Sequence, residues 1–158
     1  RLAASWMGKS TQETAGLLGR LAEADEDVDR IVVDDVGVGG GVTDRLRESP
    51  PKNKRGGISI VAFNGGAAAR HPSKYANAIS EAWLELAEEF IRGKISIEND
   101  PALISQLSSR RRIIQGDRTL RLETKKDYKN RTGISPDNAD ALAMTMIATR
   151  GGPRISWA

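Results

Sequence analysis

The chain has 158 residues, 39% of them hydrophobic and 28% charged, with a formal net charge of +3. No apolar run approaches the ~20 residues of a membrane span. The absence of cysteine excludes disulfides and thiolate metal sites, and a single histidine argues against zinc, so any bound metal is expected to be a hard ion held by oxygen.

Taken in order, Leu2, Ala4 and Trp6 alternate as on a strand. Ser10 or Thr11 is placed to cap a helix to about Ala24, whose stripe is Leu17, Leu18, Leu21 and Ala22. Residues 31–46, IVVDDVGVGGGVTDRL, read as a short buried strand that ends in Asp34 and Asp35, turns through Gly37, Gly39, Gly40 and Gly41, and enters a helix to about Glu48. Ligands of open α/β sheets bind at such strand ends. The glycine spacing fits neither a dinucleotide fingerprint nor a phosphate loop, and a tight turn that brings helix and sheet together explains it more simply. Adjacent strand residues face opposite ways, so Asp34 and Asp35 remain open alternatives as a ligand. Pro50 and Pro51 stop the helix, Lys52, Lys54 and Arg55 make a basic loop, and 58–63 is a further strand.

The loop 64–72 has few bulky anchors and is expected to be mobile, with His71 a loop residue of no catalytic role. A long helix follows at about 73–92. Ile79, Ala82, Trp83, Leu86, Ala87 and Phe90 form its buried face and make Trp83 a core residue, while Glu81, Glu85, Glu88 and Glu89 include the wet side. Ile95 and Ile97 suggest an extended piece, and Asp100-Pro101 opens a small helix to about Leu107. Residues 111–124 read as a β-hairpin with Gly116-Asp117 near its turn. The last helix is predicted with Ser135 as N-cap and Pro136 at its first position, running to about Thr149 before a loose tail at 151–158.

Two features bear on chemistry. Asp137 and Asp140, three apart, share a face in the first turn of the last helix. Acids there are also ordinary partners of the helix dipole. Residues 1–100 carry 13 Lys/Arg against 16 Asp/Glu, whereas 101–158 carry 11 against 5. The second part is therefore the candidate surface for a polyanion, although a basic face can equally be a solvated one. An acidic strand end, an acidic helix start and a basic hairpin between them suit a metal-dependent site for a phosphodiester, in which two ions clamp the attacking and leaving oxygens.

The segments IVVDDVGVGGGVTDRL, VAFNGG, the helix with Tyr75, Asn77, Glu81 and Trp83, and SPDNADAL resemble, in order and spacing, the C-terminal nuclease domain of the large terminase subunit of tailed bacteriophages. The resemblance implies an α/β fold of the RNase H-like superfamily, a mixed sheet flanked by helices with an added basic β-hairpin before the last helix. It treats 1–150 as one domain. It also implies Mg²⁺- or Mn²⁺-dependent cleavage of concatemeric double-stranded DNA, with two ions in a complete site. Asp34 matches the acid of the fourth strand, and Asp140 with Asp137 matches the acids of the last helix. Lys125 falls where the family often has a lysine. DNA contacts are expected from Arg110, Arg111, Arg112, Arg121, Lys125, Lys126 and Lys129. The implied partners are an ATPase motor domain, the small terminase subunit and the portal, in the cytoplasm of an infected bacterium.

The sequence departs from the family in two ways. Residues 1–6 match its third strand, so the first two strands and the first catalytic aspartate are expected to be missing and cleavage by this piece to be weak or absent. Ile79 stands where many relatives carry arginine. The alternatives are a non-catalytic DNA-binding or motor-docking module, and a Holliday-junction resolvase of related fold.

Overall fold

The computed structural model describes residues 8–147. The predicted strand at 1–6 and the tail at 151–158 lie outside them, and the last helix, expected to run to about Thr149, ends at Met144. The described residues fall into two compact units, divided in sequence between Asn64 and Gly65.

The first unit contains α1 (Thr11–Glu23), β1 (Arg30–Asp34), α2 (Gly39–Glu48), β2 (Lys52–Asn53), β3 (Gly56–Gly57) and β4 (Ser59–Phe63). Helix α1 starts where predicted because Ser10 and Glu13 form a capping box. The Glu13 N–H donates to Ser10 Oγ at 3.2 Å, and the Ser10 N–H donates to Glu13 Oε2 at 2.9 Å. Strands β1 and β4 pair in parallel from Arg30 opposite Ser59 to Asp34 opposite Phe63. Parallel neighbours need a crossover, and α2 lies within it. Ile31 and Val33 point to one face and meet Ala15, Ala22, Val42, Leu46 and Ile58 in the core. The basic loop forms the small antiparallel pair β2–β3.

The glycine turn works as the sequence suggests. A Cβ at Gly39 would lie 1.7 Å from the Asp34 carbonyl oxygen. Only glycine therefore lets α2 begin this close to the end of β1. Gly37, at φ +72°, takes the left-handed position of the turn.

The second unit contains α3 (Ala78–Ile91), α4 (Pro101–Ser109), β5 (Arg112–Ile114), β6 (Leu120–Leu122), α5 (Lys125–Thr132) and α6 (Asp137–Met144). Trp83, Leu86, Leu103, Leu122, Ala139, Ala143 and Met146 make its buried core. Ile95 and Ile97 pack against that core without forming a strand. β5 and β6 are the predicted hairpin, with Ile113 opposite Arg121.

Several expectations are corrected here. Helix α3 starts at Ala78 rather than at 73, because Asn77 Oδ1 accepts from the Ser80 N–H at 3.1 Å and acts as N-cap. The preceding segment is instead drawn to the hairpin. Leu120 donates its N–H to the Lys74 carbonyl, the Ala76 N–H donates to the Leu120 carbonyl, and Tyr75 between them is buried. Loop 64–72 is anchored: the N–H groups of Ala78 and Ile79 donate to the carbonyls of Ala67 and Gly65, and Ala69 is buried. Glu81, assigned to the wet side, is 2% exposed.

Helix α5 was not predicted. It carries no apolar stripe, only Tyr128, yet it has a complete pair of ends: Thr124 Oγ1 accepts from the Asp127 N–H, and Gly133 closes the helix at φ +78°. For α6 the cap is Pro136 rather than Ser135. The Ser135 hydroxyl donates to Asp137 Oδ1 instead of to the helix backbone.

Candidate functional site

The second unit brings three of the predicted site residues together. Helix α6 presents Asp137 and Asp140 from its first turn, and Lys125 opens α5. The Lys125 ammonium lies 2.7 Å from Asp137 Oδ1 and 3.4 Å from Asp140 Oδ2. Burial disfavours the Asp137 charge, but hydrogen bonds from Lys125 and Ser135 outweigh it and hold the carboxyl below its ordinary range. Lys125 feels the converse. Burial opposes its charge, yet the bond to Asp137 and the field of Asp140 raise its pKa. The cluster is therefore a pair of carboxylates that already holds an ammonium group between them.

Asp140 is held from behind. Its Oδ1 accepts the Trp83 indole N–H at 2.8 Å and an N–H of the Arg110 guanidinium. Arg110 stacks over the Trp83 ring at 4.9 Å and donates Nε to the Glu123 carbonyl at 3.1 Å. The Arg110 side chain is 4% exposed, so it faces Asp140 rather than solvent. Gln106 of α4 adds a backbone anchor, its Oε1 accepting the Ala139 N–H at 3.0 Å.

Arg111, Arg112, Arg121, Lys126 and Lys129 are exposed, as is Lys125. The base of this basic surface is fixed by Glu123. Arg131 donates Nε and Nη2 to its two oxygens at 3.0 and 2.6 Å, and the Arg111 N–H adds a third bond. These bonds hold the Glu123 carboxyl below its ordinary range despite burial.

In the first unit, Asp34 ends β1 with an exposed carboxylate that accepts a long 3.4 Å bond from the Val36 N–H. Asp35 continues the face of Ile31 and Val33. Its N–H donates to the Phe63 carbonyl at 2.7 Å, and its Oδ1 is buried without a hydrogen-bond partner. Both carboxylates are hard donors at a parallel strand end, and the orphaned Asp35 oxygen is one a cation would satisfy. The clefts along α1 and α2, of about 260 and 340 Å³, contain none of these candidate acids.

Sequence reasoning missed one polar cluster. The donor atoms of His71, Glu81 and Glu85 lie within 4.8 Å of one another. Glu81 accepts His71 Nδ1 at 2.5 Å and the Arg70 N–H at 2.6 Å, while the Arg70 guanidinium pairs with Glu85 at 2.5 Å. With Arg70 already inside it, the cluster clamps loop 64–72 to α3. His71 has that structural task.

No family model matches the sequence, and no curated protein matches it. Solved structures do, and the class of fold they define is the α/β fold of the nuclease domain of a phage large terminase subunit. The nuclease domain of the large terminase subunit of bacterial virus Sf6, in a lysine-to-alanine variant with manganese and β-thujaplicinol, has a TM-score of 0.73 at 21% identity. The alignment covers 92% of this chain and 76% of that one. The same domain with calcium, and the unsubstituted domain, each give a TM-score of 0.68 at 22% identity, over 87% of this chain and 73% of theirs. At these identities the likeness is one of fold.

Proposed function

We propose that this chain is the nuclease domain of a viral DNA-packaging terminase, cutting concatemeric double-stranded DNA by divalent-metal-dependent phosphodiester hydrolysis. The observation that carries the reading is the start of α6, where Asp137 and Asp140 share the Lys125 ammonium, in a fold common to a terminase nuclease domain solved with manganese. Asp34, Asp137 and Asp140 are the proposed ligands of two ions, Mg²⁺ or Mn²⁺. When bound, such ions supply charge for the attacking and leaving oxygens of the phosphodiester.

The chain's own groups do the rest. Lys125 keeps its proton and offsets part of the carboxylate charge. Arg111, Arg112, Arg121, Lys126 and Lys129 hold the phosphate backbone with little sequence preference. Arg110 is reassigned from DNA to Asp140. The proposed setting is a longer terminase chain with an ATPase motor domain, working with the small terminase subunit and portal in the cytoplasm of an infected bacterium.

Plasmid nicking in Mn²⁺, by the chain as it stands and by one extended at its N-terminus, tests the proposal. Asp34→Asn and Asp140→Asn should each abolish nicking. Activity that survives both substitutions would overturn the site. The exposed cations also support a second reading, a DNA-binding module without catalysis. It predicts salt-sensitive DNA retention that is indifferent to divalent ions.

A further inference from the structure

We infer that Trp83 and Arg110 are positioning residues that occupy one oxygen of Asp140, and so bias its site toward ions that take carboxylates one oxygen at a time. The inference rests on reading Asp140 as a metal ligand. Two donors from different parts of the second unit converge on the same atom, Oδ1: the Trp83 indole N–H from α3 and the guanidinium of Arg110, which follows α4. Neither can easily move. Trp83 is 5% exposed in the core, and Arg110 is buried between its ring and the Glu123 carbonyl. Helix α6 is pinned as well, through the Gln106 bond to the Ala139 N–H.

A carboxylate grips an ion with both oxygens only if both are free. To do so here, Oδ1 would have to leave two buried donors, one of them a cation, without an acceptor. The oxygen that remains is Oδ2, the one that faces Lys125. Ca²⁺ favours many oxygens and flexible geometry and readily uses bidentate carboxylates. Mg²⁺ demands near-ideal octahedral geometry, and Mn²⁺ likewise suits octahedral oxygen sites. The pair thus selects by denying the second oxygen.

The test is calorimetric titration of Mn²⁺ and of Ca²⁺ into the 158-residue chain, beside Trp83→Phe, Arg110→Lys and Asp140→Asn, with the fold of each checked by circular dichroism. Trp83→Phe keeps the ring and removes the donor. Arg110→Lys keeps the charge and removes the fork, so loss of fold in one variant leaves the other to decide. The inference expects each folded variant to lose about tenfold or more in Mn²⁺ affinity, with Ca²⁺ affinity held or raised, so that the Mn²⁺/Ca²⁺ ratio falls. An unchanged ratio, alongside loss of Mn²⁺ binding in Asp140→Asn, would overturn the positioning role and leave the metal-site reading standing. Unchanged Mn²⁺ binding in Asp140→Asn would overturn both.

Discussion

The indole N–H of Trp83 reaches Asp140 Oδ1 at 2.8 Å across 57 positions of the sequence. A side chain that fills the core of the second unit thus also sets the direction of an acid at the start of α6. Packing and chemistry are joined at one atom, and changes in the core should be felt at the site.

The approach of α2 to β1 should be the least forgiving feature of the first unit. Gly39→Ala puts a Cβ against the Asp34 carbonyl and should cost about 3 kcal/mol, read as a shift in the urea midpoint. Gly57→Ala, where a Cβ meets nothing within 4 Å, is the control and should change stability by less than about 0.5 kcal/mol. Equal effects would mean that the close approach is not what glycine serves here.

Glu81 should make the clamp on loop 64–72 sensitive to acid. Burial pushes its carboxyl up, but hydrogen bonds from His71 and the Arg70 N–H outweigh burial and leave the pKa below its ordinary 4.5. A folded pKa below the unfolded one stabilises the protein above about pH 4.5, and that contribution fades as pH falls through the lower folded value. Glu81→Gln should therefore cost about 1–3 kcal/mol near neutrality. The gap between variant and wild type should close on acidification in urea melts. A gap that ignores pH would contradict the account.

The exposed cations should act on DNA through charge alone. Arg121→Ala and Lys126→Ala should each weaken binding to unrelated duplexes alike, and each should reduce the slope of log K against log salt by about one. A sequence-dependent loss, measured by fluorescence anisotropy, would point to base contacts instead.

Helix α5 has almost no apolar surface to hold it, so its ends matter. Thr124→Ala removes the acceptor for the Asp127 N–H and should cost about 1 kcal/mol. Amide exchange should then rise across residues 125–132 more than in α3. A uniform rise would indicate global destabilisation.

What could be read from the sequence divides along a physical line. Features set by local chemistry were legible: the start of α1 at Ser10 or Thr11, the strand that ends in Asp34, the glycine turn and the Asp100-Pro101 start of α4. That Asp137 and Asp140 share a face of the last helix followed from helix spacing, whereas the bridge to them from Lys125 did not. Features decided by distant partners were not. Residues 73–77 fit a helical pattern, but Leu120 draws Tyr75 and its neighbours into backbone pairing. Arg110 sat in a run of cations with nothing to mark it as the buried one, and Glu81 looked like its acidic neighbours. Helix α5 lacks the apolar periodicity that marks a helix in a sequence, because it has only Tyr128 to bury. Its Thr-x-x-Asp start and terminal glycine were the signal that could have found it.

Our proposal that Asp34 and Asp140 bind the same cations is tested most directly by calorimetric titration of Mn²⁺ into wild type, Asp34→Asn, Asp140→Asn and the double variant. Each single substitution should weaken Mn²⁺ binding, and the double variant should fall short of the sum of the two losses, because ligands of one centre are not independent. Strictly additive losses, or full Mn²⁺ affinity in either single variant, would contradict it.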